Sequence, residues 1–151
     1  MQPASGRVLP GAMADAMSET IKLIKPYGRA TQARITVLDM LLSATHAISH
    51  AELESALLSA GRQIDRVTLY RALEWLVSKN LAHKIPGRDR VWRYSAAYQE
   101  TNHHVHFHCT HCDQTVCLAS TKTDLIRLPK GYQFEESMLV IEGICPRCTG
   151  L

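Results

Sequence analysis

"DRVTLYRALEWLVSKNL", residues 65–81, places Leu69, Ala72, Leu73, Leu76 and Val77 on one face of a helix and leaves Arg66, Thr68, Tyr70 and Arg71 off that face near its start. An apolar stripe with a 3.6-residue period marks a helix that packs on a core. Asp65 is of the kind that caps the first free backbone amides. The residues off the stripe share one chemistry. Arginine offers a fork that matches a phosphate or a guanine edge, and threonine and tyrosine hydroxyls hold phosphates. A reading helix carries such groups near its N-terminus. A plain solvated face could carry them too, so the flanking segments decide.

Two further helical patterns precede this one. In "TQARITVLDMLLSA" (31–44), Thr31 caps a stripe of Ile35, Leu38, Leu41 and Leu42. In "SHAELESALLSAG" (49–61), Ser49 with Glu52 three positions later forms a capping box, and Gly61 stands where a helix end takes a left-handed residue. After the third helix come "LAHKI" and "VWRYS", two β-rich pieces joined by the charged turn "PGRDR" (86–90). Three amphipathic helices and a basic hairpin predict a winged helix-turn-helix over residues 19–94. Residues 1–18 show no periodicity and read as a disordered tail.

The charge is divided accordingly. Residues 19–94 carry 12 Lys/Arg against 7 Asp/Glu, or +5, and residues 95–151 carry 4 against 6, or −2. Only the first half is suited to a polyanion, which makes double-stranded DNA the expected partner. With 46% hydrophobic and 21% charged residues the composition is globular. No apolar run approaches the roughly 20 residues that span a bilayer, so no membrane role is expected. The N-terminus lacks the pattern of a secretory signal. A cytoplasmic location follows, where cysteines stay reduced and serve as ligands more often than as disulfides.

"SAAYQETN", residues 95–102, reads as a hinge. The remainder, 103–151, is β-rich in "HVHFHC", "QTVCLA" and "YQFEESMLVIEGIC", with a short helical candidate "STKTDLIRL" (120–128). Together the two halves make an α+β protein: an N-terminal winged helix-turn-helix followed by a small α/β domain. That second half is dense in soft metal ligands. Cys109 and Cys112 form one CxxC and Cys145 and Cys148 another, with 32 residues between the pairs. Two such turns can present four thiolates to one tetrahedral zinc, a closed structural site. On a strand His104, His106 and His108 share a face and Cys109 lies on the other. Cys117, on the next strand, comes across from the histidine face. Two or three imidazoles with a thiolate describe a second site, which the nitrogen-and-sulfur set biases toward zinc over ferrous iron.

The order of "IDRVTLYRAL", "HHVHFHCTHC" and "GICPRC" resembles the ferric uptake regulator family of bacterial metal-dependent repressors, over residues 22 to 148, and in character the zinc uptake regulator branch. The resemblance implies a homodimer, a winged helix, a hinge and a C-terminal α/β dimerisation domain. It implies a structural zinc on Cys109, Cys112, Cys145 and Cys148, regulatory ligands at His104 and His106, and DNA contacts from Arg29, Tyr70 and Arg71. Some positions depart from the family pattern. Arg93 stands where iron sensors have a glutamate and zinc sensors a cysteine, and Cys117 replaces a glutamate. Val105 and Ser137 replace an acid and a histidine of a further site. His83 or His46 could supply the missing link to the DNA-binding half. A zinc-responsive repressor of metal-uptake genes is thus the expectation, with an iron sensor as the alternative and a peroxide sensor behind it. A zinc-dependent hydrolase or deaminase is disfavoured: it would want an open metal position beside a base, as in an HxE or HExxH motif, and neither is read in this chain.

Overall fold

The computed structural model describes residues 10–97, 103–118, 127–135 and 137–150, with side chains from 15 onward in the first segment and from 105 in the second. The first half is helical. Helix α1 spans Pro10–Ile24, α2 Gln32–Ser43, α3 His50–Ser59 and α4 Arg66–Ser78, and a single 3-10 turn, Lys25–Tyr27, follows α1. Each expected start has its cap. The Thr31 side chain accepts from the Arg34 N–H, Asp65 accepts from the Thr68 N–H, and the Ser49–Glu52 capping box closes in both directions. Gly61 ends α3 at φ +67, a backbone that a Cβ would strain.

Helix α1 departs from the sequence reading, which left residues 1–18 as a structureless tail. Residues 10–18 are the first part of α1, and residues 1–9 lie outside the described ones. The helix is held by a stripe in which Met17 and Ile21 pack on the core and Thr20 and Ile24 are buried. Thr20 is what hides the stripe from a search for apolar residues. Its hydroxyl is satisfied locally by the Ala16 carbonyl at 3.0 Å and faces Asp39 of α2 at 3.4 Å.

The core gathers Ile35, Val37, Leu38 and Leu41 of α2, Leu53 and Leu57 of α3, and Leu69, Leu73 and Leu76 of α4. Arg34 lies over the Trp75 ring, 3.7 Å from its centroid, and ties α2 to α4 at the surface. Gly28, at φ +145, turns the chain toward Arg29 beside that ring, where a Cβ would touch Trp75 at 3.4 Å.

A three-stranded sheet follows. It has β2 (Ala82–Pro86) and β3 (Trp92–Ala96) as the expected hairpin and β1 (Ile48–Ser49) added on the far side of β3. The register pairs Ala82 with Ala96, His83 with Ser95, Lys84 with Tyr94 and Ile85 with Arg93. Directly opposed residues share a face. Ala82, Tyr94 and Ala96 therefore join the helical core, and His83, Ile85 and Arg93 face away from it.

The second half has its own sheet, β5–β4–β6, with β4 at His103–Cys109, β5 at Thr115–Cys117 and β6 at Ser137–Gly143. Strand β5 is antiparallel to β4, and β6 is parallel to it. A four-residue helix, α5 (Pro146–Thr149), ends the described chain. The helical candidate at 120–128 and most of the hinge at 95–102 lie outside the described residues, while β3 runs on to Ala96. The two halves touch. The Ala47 N–H donates to the Thr115 carbonyl at 2.6 Å, and Arg88 of the wing pairs with Glu142 of β6 at 2.6 Å.

Candidate metal centres and nucleic-acid face

Strand β4 ends on Cys109, and a tight turn carries the chain through Cys112. In that turn the Asp113 N–H donates to the Cys109 carbonyl and Asp113 takes φ +58. Because β6 runs parallel to β4 with Gly143 opposite Cys109, Cys145 arrives just beyond the same strand end. Cys145 is the N-cap of α5, and the turn of that helix returns Cys148. The four sulfurs all lie within 4.8 Å of one another, and Cys112 Sγ is 3.9 Å from Cys145 Sγ. A tetrahedron with Zn–S bonds of about 2.3 Å has edges of about 3.8 Å. The spacing is therefore that of ligands around one ion, and it is far too long for a disulfide.

The electrostatics agree with a cation site. The backbone N–H of Cys145 donates to Cys109 Sγ at 3.3 Å and draws that thiol down to about 6. The N–H of Cys148 lowers Cys145 in the same way. Cys148 is pushed up to about 12, first because its hydrogen bond to Cys145 holds its proton. Crowded sulfurs with amide donors aimed at them favour thiolates once a metal neutralises them. All four donors come from the chain, so the site is closed, as a structural zinc site is.

The side chains expected to form a second site lie on and around β4, although among the described residues only the four cysteines bring three or more possible ligand atoms within 4.8 Å of one another. His106 is fully buried, and its register partner is Cys117 on β5, as the strand pattern anticipates. Burial pushes the Cys117 thiol up. From the winged half, His83 of β2 comes edge-on to His106, ring centroids 5.8 Å apart, and is itself 9% exposed. Two imidazoles from different halves and a thiol thus share one neighbourhood. The His104 side chain lies outside the described residues. His46 sits in the loop before β1 with Nδ1 3.4 Å from Thr45 Oγ1, and its charge bears on Glu52. His108 serves the hairpin instead, with Nδ1 3.0 Å from Thr115 Oγ1 and Nε2 3.7 Å from Asp113. Arg93 is held bidentate by Asp89, at 2.7 and 3.0 Å, so the usual hinge-ligand position carries a paired cation. Its setting is acidic, with Glu52 and Asp113 both bearing on it.

The residues expected to contact nucleic acid lie on α4 and ahead of α2. Tyr70 and Arg71 are exposed on α4, and Arg29 is exposed ahead of α2. Arg66 is exposed but engaged by Glu54 at 3.2 Å. The Thr68 hydroxyl already donates to Asp65 at 2.6 Å. Sequence reasoning passed over His50, which stacks on Tyr70 with ring centroids 4.0 Å apart and planes 20° from parallel. Its signal was position: the first helical residue after a capping serine points out beside the next helix. Contrary to the sequence reading the chain holds one His-x-Glu triplet, His50-Ala51-Glu52, but Glu52 is bonded to Ser49 in the capping box at a helix start and neither residue belongs to the cysteine cluster.

Known proteins place this architecture. A family model described as the ferric uptake regulator family matches residues 27–135. A ferric uptake regulation protein of Legionella pneumophila is 27% identical over 139 residues, 87% of this chain and 99% of that protein. Among solved structures, a zinc uptake regulator complexed with zinc and DNA superimposes with a TM-score of 0.67 at 21% identity, covering 91% of this chain and 95% of that one. The Vibrio cholerae ferric uptake regulator gives 0.61 at 18% identity, covering 83% and 98%. At these identities the structural likeness establishes the fold, a winged helix-turn-helix with a small sheet domain behind it. The family model, spanning most of the chain, establishes kinship. This chain belongs to the ferric uptake regulator family, whose members are metal-responsive transcriptional regulators and not enzymes.

Proposed function

We propose that the chain is a zinc-responsive repressor, a cytoplasmic homodimer that binds near-palindromic DNA and silences metal-uptake genes when zinc is plentiful. The observation that carries this reading is His83 of the winged half lying against His106 of the sheet domain, with Cys117 opposite. His83, His104, His106 and Cys117 form the regulatory set, with His46 as the alternative to His83. Cys109, Cys112, Cys145 and Cys148 hold the structural zinc.

A metal bound by both halves supplies a bond between them, and that favours whichever arrangement brings His83 to His106. The residues around it do the rest. The Ala47–Thr115 hydrogen bond and the Arg88–Glu142 pair also link the halves, and both imidazoles are buried. Each reading helix then presents Arg66, Thr68, Tyr70 and Arg71, with Arg29 beside it, to a major groove. A two-fold dimer sets its two half-sites about 34–36 Å or multiples apart. The exposed apolar residues Met138 and Ile141 on β6, with Ile144 beyond, support a second copy as the dimer partner.

Iron is the second reading, favoured by the Legionella relative's name. Protein holding one zinc per chain, titrated with zinc, ferrous iron and manganese while operator binding is followed by anisotropy, separates the two. Activation by zinc at the lowest free concentration is expected. Activation by ferrous iron at lower free concentration than zinc would transfer the chain to the iron reading.

A further inference from the structure

Between the first turns of α3 and α4 and the tip of the wing lies a cleft of about 400 Å³, lined among others by His50, Glu54, Arg66, Tyr70, Arg90 and Trp92. Lys84 also borders it, lying 5.1 Å from the centre of the Trp92 ring. Its walls hold three cations, Arg66, Lys84 and Arg90, and one carboxylate, Glu54. That carboxylate is placed centrally. Its Oε2 accepts from Arg66 at 3.2 Å and lies 3.9 Å from His50 Nδ1, and the His50 ring in turn stacks on Tyr70. The opposite nitrogen of His50, Nε2, is buried and finds no hydrogen-bond partner among the described residues.

We propose that this cleft is the seat of one backbone phosphate of bound DNA, and that Glu54 occupies it in the free protein as an internal stand-in for that phosphate. The inference rests on the DNA-binding reading above and deepens it. A carboxylate between an arginine and a histidine copies the charge and acceptor geometry of a phosphodiester. The cleft is continuous with exposed Tyr70 and lies between the two elements, α4 and the wing, that a winged helix lays along DNA. Arg90 stands at the wing turn with φ +62, exposed, and lines the cleft. DNA entering the cleft must displace Glu54 from Arg66 and meet Arg90. Glu54 thereby sets affinity without reading sequence, because a phosphate carries none.

The test uses the full-length zinc-loaded protein, with operator and unrelated duplexes measured side by side over a salt series. Glu54→Gln keeps the side chain's shape and removes its charge. Freeing Arg66 from an exposed ion pair and lifting the repulsion of a phosphate should tighten binding about two- to five-fold on both duplexes. Arg90→Ala should weaken both by a similar factor and lower the salt slope by about 0.9, the loss of one neutralised phosphate. Metal content and thermal midpoint should stay at wild-type values. Glu54→Gln that binds no tighter overturns the proposal, and so does a change confined to the operator, which would make the cleft a base-reading site. Arg90→Ala with unchanged duplex binding, in a protein that takes up inorganic phosphate in the cleft, reassigns it to a small anion and likewise overturns it. Wild-type protein that binds neither duplex would instead defeat the DNA-binding reading itself.

Discussion

Five cysteines with one side-chain chemistry have been sorted by the fold into two roles. Cys109, Cys112, Cys145 and Cys148 converge because a parallel strand pair brings two turns to one end of a sheet. Cys117 is kept apart, paired with His106 and pushed toward its neutral form by burial. Different losses follow. Cys145→Ser breaks a closed site whose metal contributes roughly 10 kcal/mol or more to folding in small zinc domains. The sheet domain should lose its zinc and the protein its dimer, and a variant that kept both its sedimentation mass and one zinc per chain would contradict the assignment. Cys117→Ser should instead leave a folded dimer that retains the structural zinc. It should need more zinc to bind DNA, and an unchanged zinc activation curve would remove Cys117 from the regulatory set. On the DNA side Tyr70 and Arg71 are exposed on α4. Alanine at either should weaken operator binding on the order of 10-fold with metal content intact. Normal binding by both would strip α4 of its role.

At the scale of elements, α4 joins the two halves of its own sequence pattern. Its inner stripe is buried, and Leu73 has no exposed surface. Leu73→Ala should destabilise the winged half by about 2–5 kcal/mol, read as a lower urea midpoint, because the cavity lies between packed helices that cannot collapse onto it. A loss below 1 kcal/mol would mean that the stripe is not the core. This pattern was legible because every signal agreed: Asp65 caps, Leu69 to Leu76 repeat at helical spacing, and the hairpin follows with its Pro-Gly turn. The capping box and Gly61 were equally plain, since they depend on neighbours within one turn. What escaped the sequence depends on distant partners. Helix α1 hides behind Thr20, a polar residue whose burial makes sense only with Asp39 across the interface. Strand β1 is two residues long, too short for a period, and exists because β3 offers it an edge. The same reason left His83 and His46 unranked in the sequence. Both lie in the winged half, and only the packing of one sheet on the other brings one of them to His106.

At the scale of the whole molecule the two halves meet where His83 of the wing comes edge-on to His106 of the second sheet. Among the described residues the contacts between them include one backbone hydrogen bond, Ala47–Thr115, one Arg–Glu pair, Arg88–Glu142, and that histidine pair. An ion pair with one exposed partner contributes about 1 kcal/mol at most. A metal ligated from both sides would stabilise the arrangement in which its ligands meet. The side that supplies the crossing ligand should then control the zinc response. His83 has the geometry, edge-on to a fully buried His106, whereas His46 Nδ1 lies against Thr45 Oγ1. His83→Ala should raise the zinc concentration needed for half-maximal DNA binding about tenfold or more, as losses around a metal site commonly do. Small-angle scattering should show the zinc-dependent change in shape lost at the concentrations where wild type responds. His46→Ala should leave both midpoints in place, and structural zinc should be retained in each variant. The reverse result, with His46 shifting the midpoint and His83 silent, would move the crossing ligand to the loop before β1. The His83–His106 contact would then be packing alone.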